Sequence, residues 1–175
     1  LALPQIAEGL KGRLRRAPIL YVWLLGLCMV LACVGHVAAW SSDPPDVDAI
    51  NFTTALTQYD VRRDAPHPPG YPLYVGADRA AAHLVGPAHA YGLVNLSMLL
   101  LAAVCAFAAL GAVGRPGVGL AGAMLLMAHP LAWSATVVPE CYASDLLAGC
   151  ALAAWAAVAR RWPALIVAVG AAAIL

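Results

Sequence analysis

The sequence predicts an all-α fold, a polytopic transmembrane helix bundle of about four to five spans with a polar first loop carrying short interfacial helices. Three observations predict it. The 175 residues are 63% hydrophobic and 11% charged, with a mean hydropathy of +0.80, the composition of a polytopic membrane protein. Apolar runs long enough to cross a bilayer recur along the chain. The strongest helix breakers gather outside those runs, above all in Asp64–Pro72, with four prolines, Gly70 and His67. Such a stretch cannot cross a bilayer, because its backbone hydrogen bonds would go unmade.

Residues 1–17 read as a cytoplasmic basic segment carrying Lys11, Arg13, Arg15 and Arg16. Residues 18–175 read as one transmembrane domain with an outer loop over 41–87. The chain lacks a starting Met and stops at Leu175 inside an apolar run, so it is expected to be part of a longer protein. Pro18–Trp40 is the first span, roughly 34 Å as a helix. It is too long and too tryptophan-tipped for a signal peptide, and Trp40 suits an interface. The later spans are expected at Ala90–Val113, Val118–Val138 and Tyr142–Ala159, with a fifth starting near Ala164. Gly114-Arg115-Pro116-Gly117 turns the chain between the second and third. Cys28, Cys33, Cys105, Cys141 and Cys150 lie in or beside apolar runs without C-x-x-C spacing, and read as small core residues.

Charge sets the orientation. With the N-terminus in the cytoplasm, Lys11, Arg13, Arg15, Arg16, Arg115, Arg160 and Arg161 fall inside, and only Arg62, Arg63 and Arg79 fall outside. All acids except Glu8 lie outside or at the outer edge. The expected localisation is the plasma (inner) membrane, multi-pass, with the polar chemistry periplasmic or extracellular. The net charge of +1 offers nothing for nucleic acid, and no such partner is expected.

The outer loop has its own pattern. Pro44-Pro45-Asp46 marks a helix start with Asp46 as N-cap, and Phe52, Leu56 and Tyr59 recur at helical spacing. Tyr71–Val85 reads as an interfacial amphipathic helix with Leu73, Ala77, Ala80 and Leu84 on one face, Asp78, Arg79 and His83 off it, and Gly86-Pro87 as its end.

Asp43, Asp46 and Asp48 form an acidic cluster in this loop. Asp48 is the first candidate for a general base toward an acceptor hydroxyl. In a helix, Asp46 and Asp48 diverge by roughly 160–200°, so one can face a site while the other caps the backbone. A solvated acidic loop is the plainer alternative. His67 either caps a turn or stands beside the acid in a rigid, preorganised loop. Arg62, Arg63 and Arg79 are the outer cations, suited to a lipid phosphate through paired N–H bonds or to ordinary pairing with Asp60, Asp64 or Asp78. Glu140 ends the third span level with this loop, and Asp145 lies slightly deeper and needs a partner. His129-Pro130 reads as a kink with a satisfied His. His36, His83 and His89 are too scattered for a metal site, and no zinc-protease, Walker or dinucleotide motif occurs.

An acid-bearing loop after the first span, then His67-Pro68-Pro69-Gly70-Tyr71-Pro72-Leu73-Tyr74, Asn95 entering the second span, and Trp133 and Glu140-x-Tyr142 ending the third together resemble the GT-C glycosyltransferases. More specifically the pattern resembles the membrane family related to protein O-mannosyltransferases and called DUF2723, over about Pro18 to Ala159. The resemblance implies a transferase that moves a sugar from a polyprenyl-phosphate donor to an acceptor hydroxyl on a protein, lipid or glycan, with inversion, among membrane lipids. It implies Asp48 as the base, His67 near the donor phosphate or acceptor, and Glu140 shaping the site. Tyr71 and Tyr142 join the three arginines as candidate substrate contacts. The loop reads Asp46-Val47-Asp48 where relatives often show adjacent acids or Asp-x-x-Glu, so the choice between Asp46 and Asp48 stays open. A divalent ion also stays open, since some superfamily members use one and this chain shows no full ligand set. The rivals are a polytopic transporter and a non-catalytic lipid-binding membrane protein.

Overall fold

The computed structural model describes residues 3–40, 46–112 and 116–159, with side chains from residue 19 to 157 of these. Asp43, Pro44, Pro45, Arg115, Arg160, Arg161 and the expected fifth span lie outside the described residues, as do the side chains of Lys11, Arg13, Arg15 and Arg16. The described chain is helical, with no strand among the described residues. The helices are α1 (Leu3–Ala39), α2 (Val47–Ala55), α3 (Pro72–Val85), α4 (Ala90–Ala112), α5 (Pro116–Ala128), α6 (Pro130–Val137) and α7 (Tyr142–Ala159). Short 3-10 turns at Val61–Arg63 and Pro87–His89 join them.

Among the described residues, two stretches are long and apolar enough to cross a membrane, Ile19–Ala39 of α1 and Pro87–Ala112, which contains α4. Helices α5 and α6 form a third candidate span broken by a 54° bend. The break falls at His129-Pro130 for a local reason. Pro130 has no N–H to continue α5, and His129 caps α6 by accepting a hydrogen bond from the Leu131 N–H through Nδ1 at 3.2 Å. The expected kink is therefore present, and His129 serves it. Apolar α7 is shorter, with an apolar stretch over Tyr142–Ala157. In α1, Trp23, Leu31 and Val34 are exposed, an outward apolar surface that suits lipid.

Helix α4 is the hub, touching α1, α3, α5, α6 and α7. One core joins Leu25 of α1, Leu99 and Ala103 of α4, Leu120, Ala123 and Met127 of α5 and Ala132 of α6. Gly119 lets α5 approach α4 closely, since a Cβ there would lie 2.8 Å from the Phe107 carbonyl oxygen. A second, aromatic core sits where α4 begins. Phe52 and Ala55 of α2, Tyr74, Val75 and Ala81 of α3, and Tyr91 and Val94 of α4 meet Cys141 there. Trp40, just beyond α1, packs over Gly92 of α4, and Trp133 of α6 lies against Gly35 of α1. The end of α1, the start of α4, the end of α6 and the start of α7 thus share one end of the bundle, and the loop between α1 and α4 folds over it.

In α3 the expected apolar face, Leu73, Ala77, Ala80 and Leu84, points away from the protein, with Leu73 90% exposed. The buried face is Tyr74, Val75, Asp78 and Ala81. That outward stripe of leucines suits a membrane interface. All five cysteines are free, with Cys141 buried and the others half-buried.

Candidate functional site

Asp46 caps α2 as its sequence position predicts, accepting a hydrogen bond from the Ala49 N–H at 2.8 Å. Asp48 stands two residues further on and leaves its carboxylate half exposed. Its Oδ1 lies 3.7 Å from His67 Nδ1. That is a charge contact longer than a hydrogen bond, so the buried Nδ1 has no hydrogen-bond partner.

The loop that delivers His67 is tied at both ends. Asp60 and Ala65 exchange two backbone hydrogen bonds, at 2.8 and 3.1 Å. Beyond His67 the chain turns sharply, and the Gly70 N–H donates to the His67 carbonyl at 3.0 Å. Gly70 has φ of +92°, and a Cβ there would meet Val61 Cγ2 at 2.5 Å and the Tyr59 hydroxyl at 2.6 Å, so only glycine fits. Tyr71 follows in the left-handed region with φ of 45°, a conformation costing on the order of 1–3 kcal/mol for a non-glycine residue. It sets the Tyr71 ring 5.6 Å from His67 and 5.6 Å from Phe52, while Phe52 presents its edge to His67 at 5.5 Å. These rings hold the imidazole in place.

Glu140 arrives from the opposite side, between α6 and α7, and is only 8% exposed. Burial pushes its carboxyl above the usual carboxylate range, and the charges of Asp46 and Asp48 push it further the same way. Tyr142 acts in the opposite direction through a hydrogen bond. The backbone carrying Glu140 is pinned from below by a buried polar network. The Asn95 amide donates to the Val138 and Glu140 carbonyls at 2.9 and 3.3 Å. The Tyr74 hydroxyl lies 2.7 Å from both Asn95 Oδ1 and the Glu140 carbonyl, sharing its proton between them. Tyr91 of α4 donates to the Phe52 carbonyl and fixes α2 over the same end.

Asp46, Asp48, His67 and Glu140 are thus gathered from three separated segments, with Tyr71 and Tyr142 beside them. A cleft of about 390 Å³ opens at this point, with Asp46, Glu140 and Tyr142 at its head and Leu131, Ser134 and Ala135 of α6 and Val138 just beyond it along its wall. The cations take other places. Arg79 donates to the carbonyls of Ala55 and Leu56 at 2.8 and 3.0 Å, closing the end of α2, and lies over the Tyr59 ring. Neither Asp78 nor a free phosphate role engages those two N–H groups. Arg62 and Arg63 are exposed, and Arg63 pairs with Asp60 at 3.5 Å. Asp145 is exposed near the start of α7. Among the described residues no three His, Cys, Asp or Glu side chains are arranged to hold a metal ion.

Sequence reasoning passed over two buried groups. Asp78 is fully buried, neither carboxyl oxygen has a partner among the described residues, and burial pushes its carboxyl up to about 8. His36 is also fully buried, its Nδ1 2.8 Å from the Ala32 carbonyl and its ring stacked on Trp133 at 3.9 Å. The signal for Tyr74 and Asn95 was present, as a tyrosine in the His-Pro-Pro-Gly string and a polar residue within a span.

No protein-family model matches the chain, no curated protein matches it, and no solved structure matches it.

Proposed function

We propose that the chain belongs to an integral membrane glycosyltransferase of GT-C type, transferring a sugar from a polyprenyl-phosphate donor to an acceptor hydroxyl with inversion. The observation that carries this reading is the approach of His67 to Asp48 at 3.7 Å together with a cleft headed by Asp46 and Glu140, whose carboxyl feels the charges of both Asp46 and Asp48. In the sequence these residues are far apart, and a solvated loop has no need of that convergence. In this reading the described helices belong to a bundle of four to five spans in the inner membrane, with a cytoplasmic N-terminus and the cleft on the outer face.

The proposed step is a single displacement. The acceptor oxygen attacks the anomeric carbon, and its proton passes to the Asp48 carboxylate. The bond from that carbon to the phosphate oxygen breaks, and the lipid phosphate leaves with the electron pair. Phosphate is a good leaving group, so no separate acid is required. His67 orients the Asp48 carboxylate, and Glu140, whose carboxyl burial shifts upward, is placed to hydrogen-bond a substrate hydroxyl. No step is routed through a metal ion.

A transporter draws support from the break between α5 and α6, since broken helices line transporter sites. The acids gather at the helix ends instead of at that break, which favours the transferase. The test is turnover by the full-length protein in lipid nanodiscs with a panel of polyprenyl-phosphate sugars, reading the product anomer by NMR. Transfer with an inverted anomer is the expected result. Retention of configuration, or no turnover with any donor, rejects the reading.

A further inference from the structure

The cleft beside the carboxylates differs in character along its length. Its head carries two carboxyl groups, those of Asp46 and Glu140, and the charge of Asp48 also reaches Glu140. Among the described residues no Arg, Lys or His lines it. Two N–H groups of Arg79 are committed to the Ala55 and Leu56 carbonyls, and Arg63 is paired with Asp60. A phosphate placed at this head would face carboxylates with no cation to offset them. The wall is different. Leu131 and Ala135 lie on α6, part of the broken candidate span, with Val138 capping its end, and Leu131 is 73% exposed. The wall therefore opens sideways, where a membrane-borne chain would lie.

We propose that this cleft is the acceptor subsite, that its occupant is an uncharged hydroxyl on an apolar, lipid-like chain, and that the donor phosphate is held elsewhere. The proposal rests on the transferase reading and names the acceptor class for it. The hydroxyl sits at the carboxylate end, where Asp48 receives its proton, and the chain follows α6 past Val138 and Ala135 to Leu131. Tyr142 and Ser134 supply the polar contacts beside the hydroxyl. An anionic acceptor is disfavoured by the same carboxylates that disfavour phosphate.

The test is photo-crosslinking of the full-length protein in nanodiscs with two probes, a diazirine-bearing C15 isoprenoid alcohol and its monophosphate. Labelled positions are read by peptide mass spectrometry. The expected result is saturable labelling of Leu131–Val138 by the alcohol, at least tenfold stronger than by the monophosphate. Leu131→Trp, which fills the wall, lowers the alcohol signal several-fold. The double variant Asp46→Asn, Glu140→Gln raises monophosphate labelling and narrows the gap. Equal or stronger labelling by the monophosphate in the wild type overturns the proposal and makes the cleft a phosphate site. Labelling that is unsaturable, or indifferent to Leu131→Trp, overturns it as well. The crosslink needs no turnover, so a failed transfer assay with intact, selective labelling rejects the transferase alone.

Discussion

Replacing Asp78 with Asn should abolish most of the pH dependence of this protein's stability between pH 5 and 8. Asp78 has no exposure, and both its oxygens lack partners among the described residues. Burial pushes its carboxyl from 3.8 to about 8. In the unfolded chain the group ionises near its ordinary value, while in the folded chain it holds its proton until about pH 8. The stability it permits is therefore fully present below pH 4, is lost as pH rises towards 8, and changes little above that. Each pH unit inside this window costs about 1.4 kcal/mol, so three units cost roughly 4 kcal/mol. For a chain of this size that corresponds to a shift on the order of 8–16 °C in unfolding temperature. Glu140 is shifted in the same direction, so the difference between wild type and Asp78→Asn isolates Asp78. Burial raises both Tyr74 and Tyr91, the tyrosines that feel its charge, so neither ionises within the window. The assay is thermal unfolding in mild detergent at half-unit pH steps. Asp78→Asn should be the more stable protein at pH 8 and should converge on wild type near pH 4. Parallel profiles across the whole range would show that Asp78 is solvated or paired, and would refute the reasoning.

Other substitutions test the scaffold and the site. Asn95→Leu removes the partners of the Val138 and Glu140 carbonyls and of the Tyr74 hydroxyl, and should lower stability by about 2–4 kcal/mol in the same unfolding assay. Gly119→Ala places a methyl 2.8 Å from the Phe107 carbonyl and should cost about 1–3 kcal/mol, with Gly111→Ala, which meets nothing within 4 Å, as the neutral control. Arg79→Ala frees the carbonyls ending α2 and should cost about 1 kcal/mol without abolishing sugar transfer. Transfer by the wild type should fall as pH rises through the elevated Glu140 value, and Glu140→Gln should keep its rate across that rise, as measured by the pH profile of kcat.

Local features were legible in the sequence. The Asp46 cap, the starts of α4 and α7 and the His129-Pro130 break follow from residue types acting within a turn or two. The faces of α3 were legible as a pattern but not as a direction. Periodicity separates Leu73 and Leu84 from Asp78, yet it does not say which side meets protein. The leucines turn outward and Asp78 is packed inside, an arrangement that apolar surroundings would suit. The network under Glu140 was not legible at all as contacts, since Tyr74 reaches Asn95 across 21 residues and the Glu140 carbonyl across 66. Arg79 was a plausible phosphate ligand by residue type, and only the placement of α2 against α3 reveals the carbonyls that occupy it. The same holds for the meeting of Asp48, His67 and Glu140, whose order along the chain fits a site but whose separation does not specify one.

The most direct measurement of the central claim is sugar transfer by full-length wild type and Asp48→Asn, with unfolding temperatures recorded on the same samples. Loss of 10²–10⁴-fold in kcat, roughly the contribution of a positioned base, with an unchanged unfolding temperature is the expected result. Wild-type activity in a folded Asp48→Asn protein would contradict it and remove Asp48 from the chemistry.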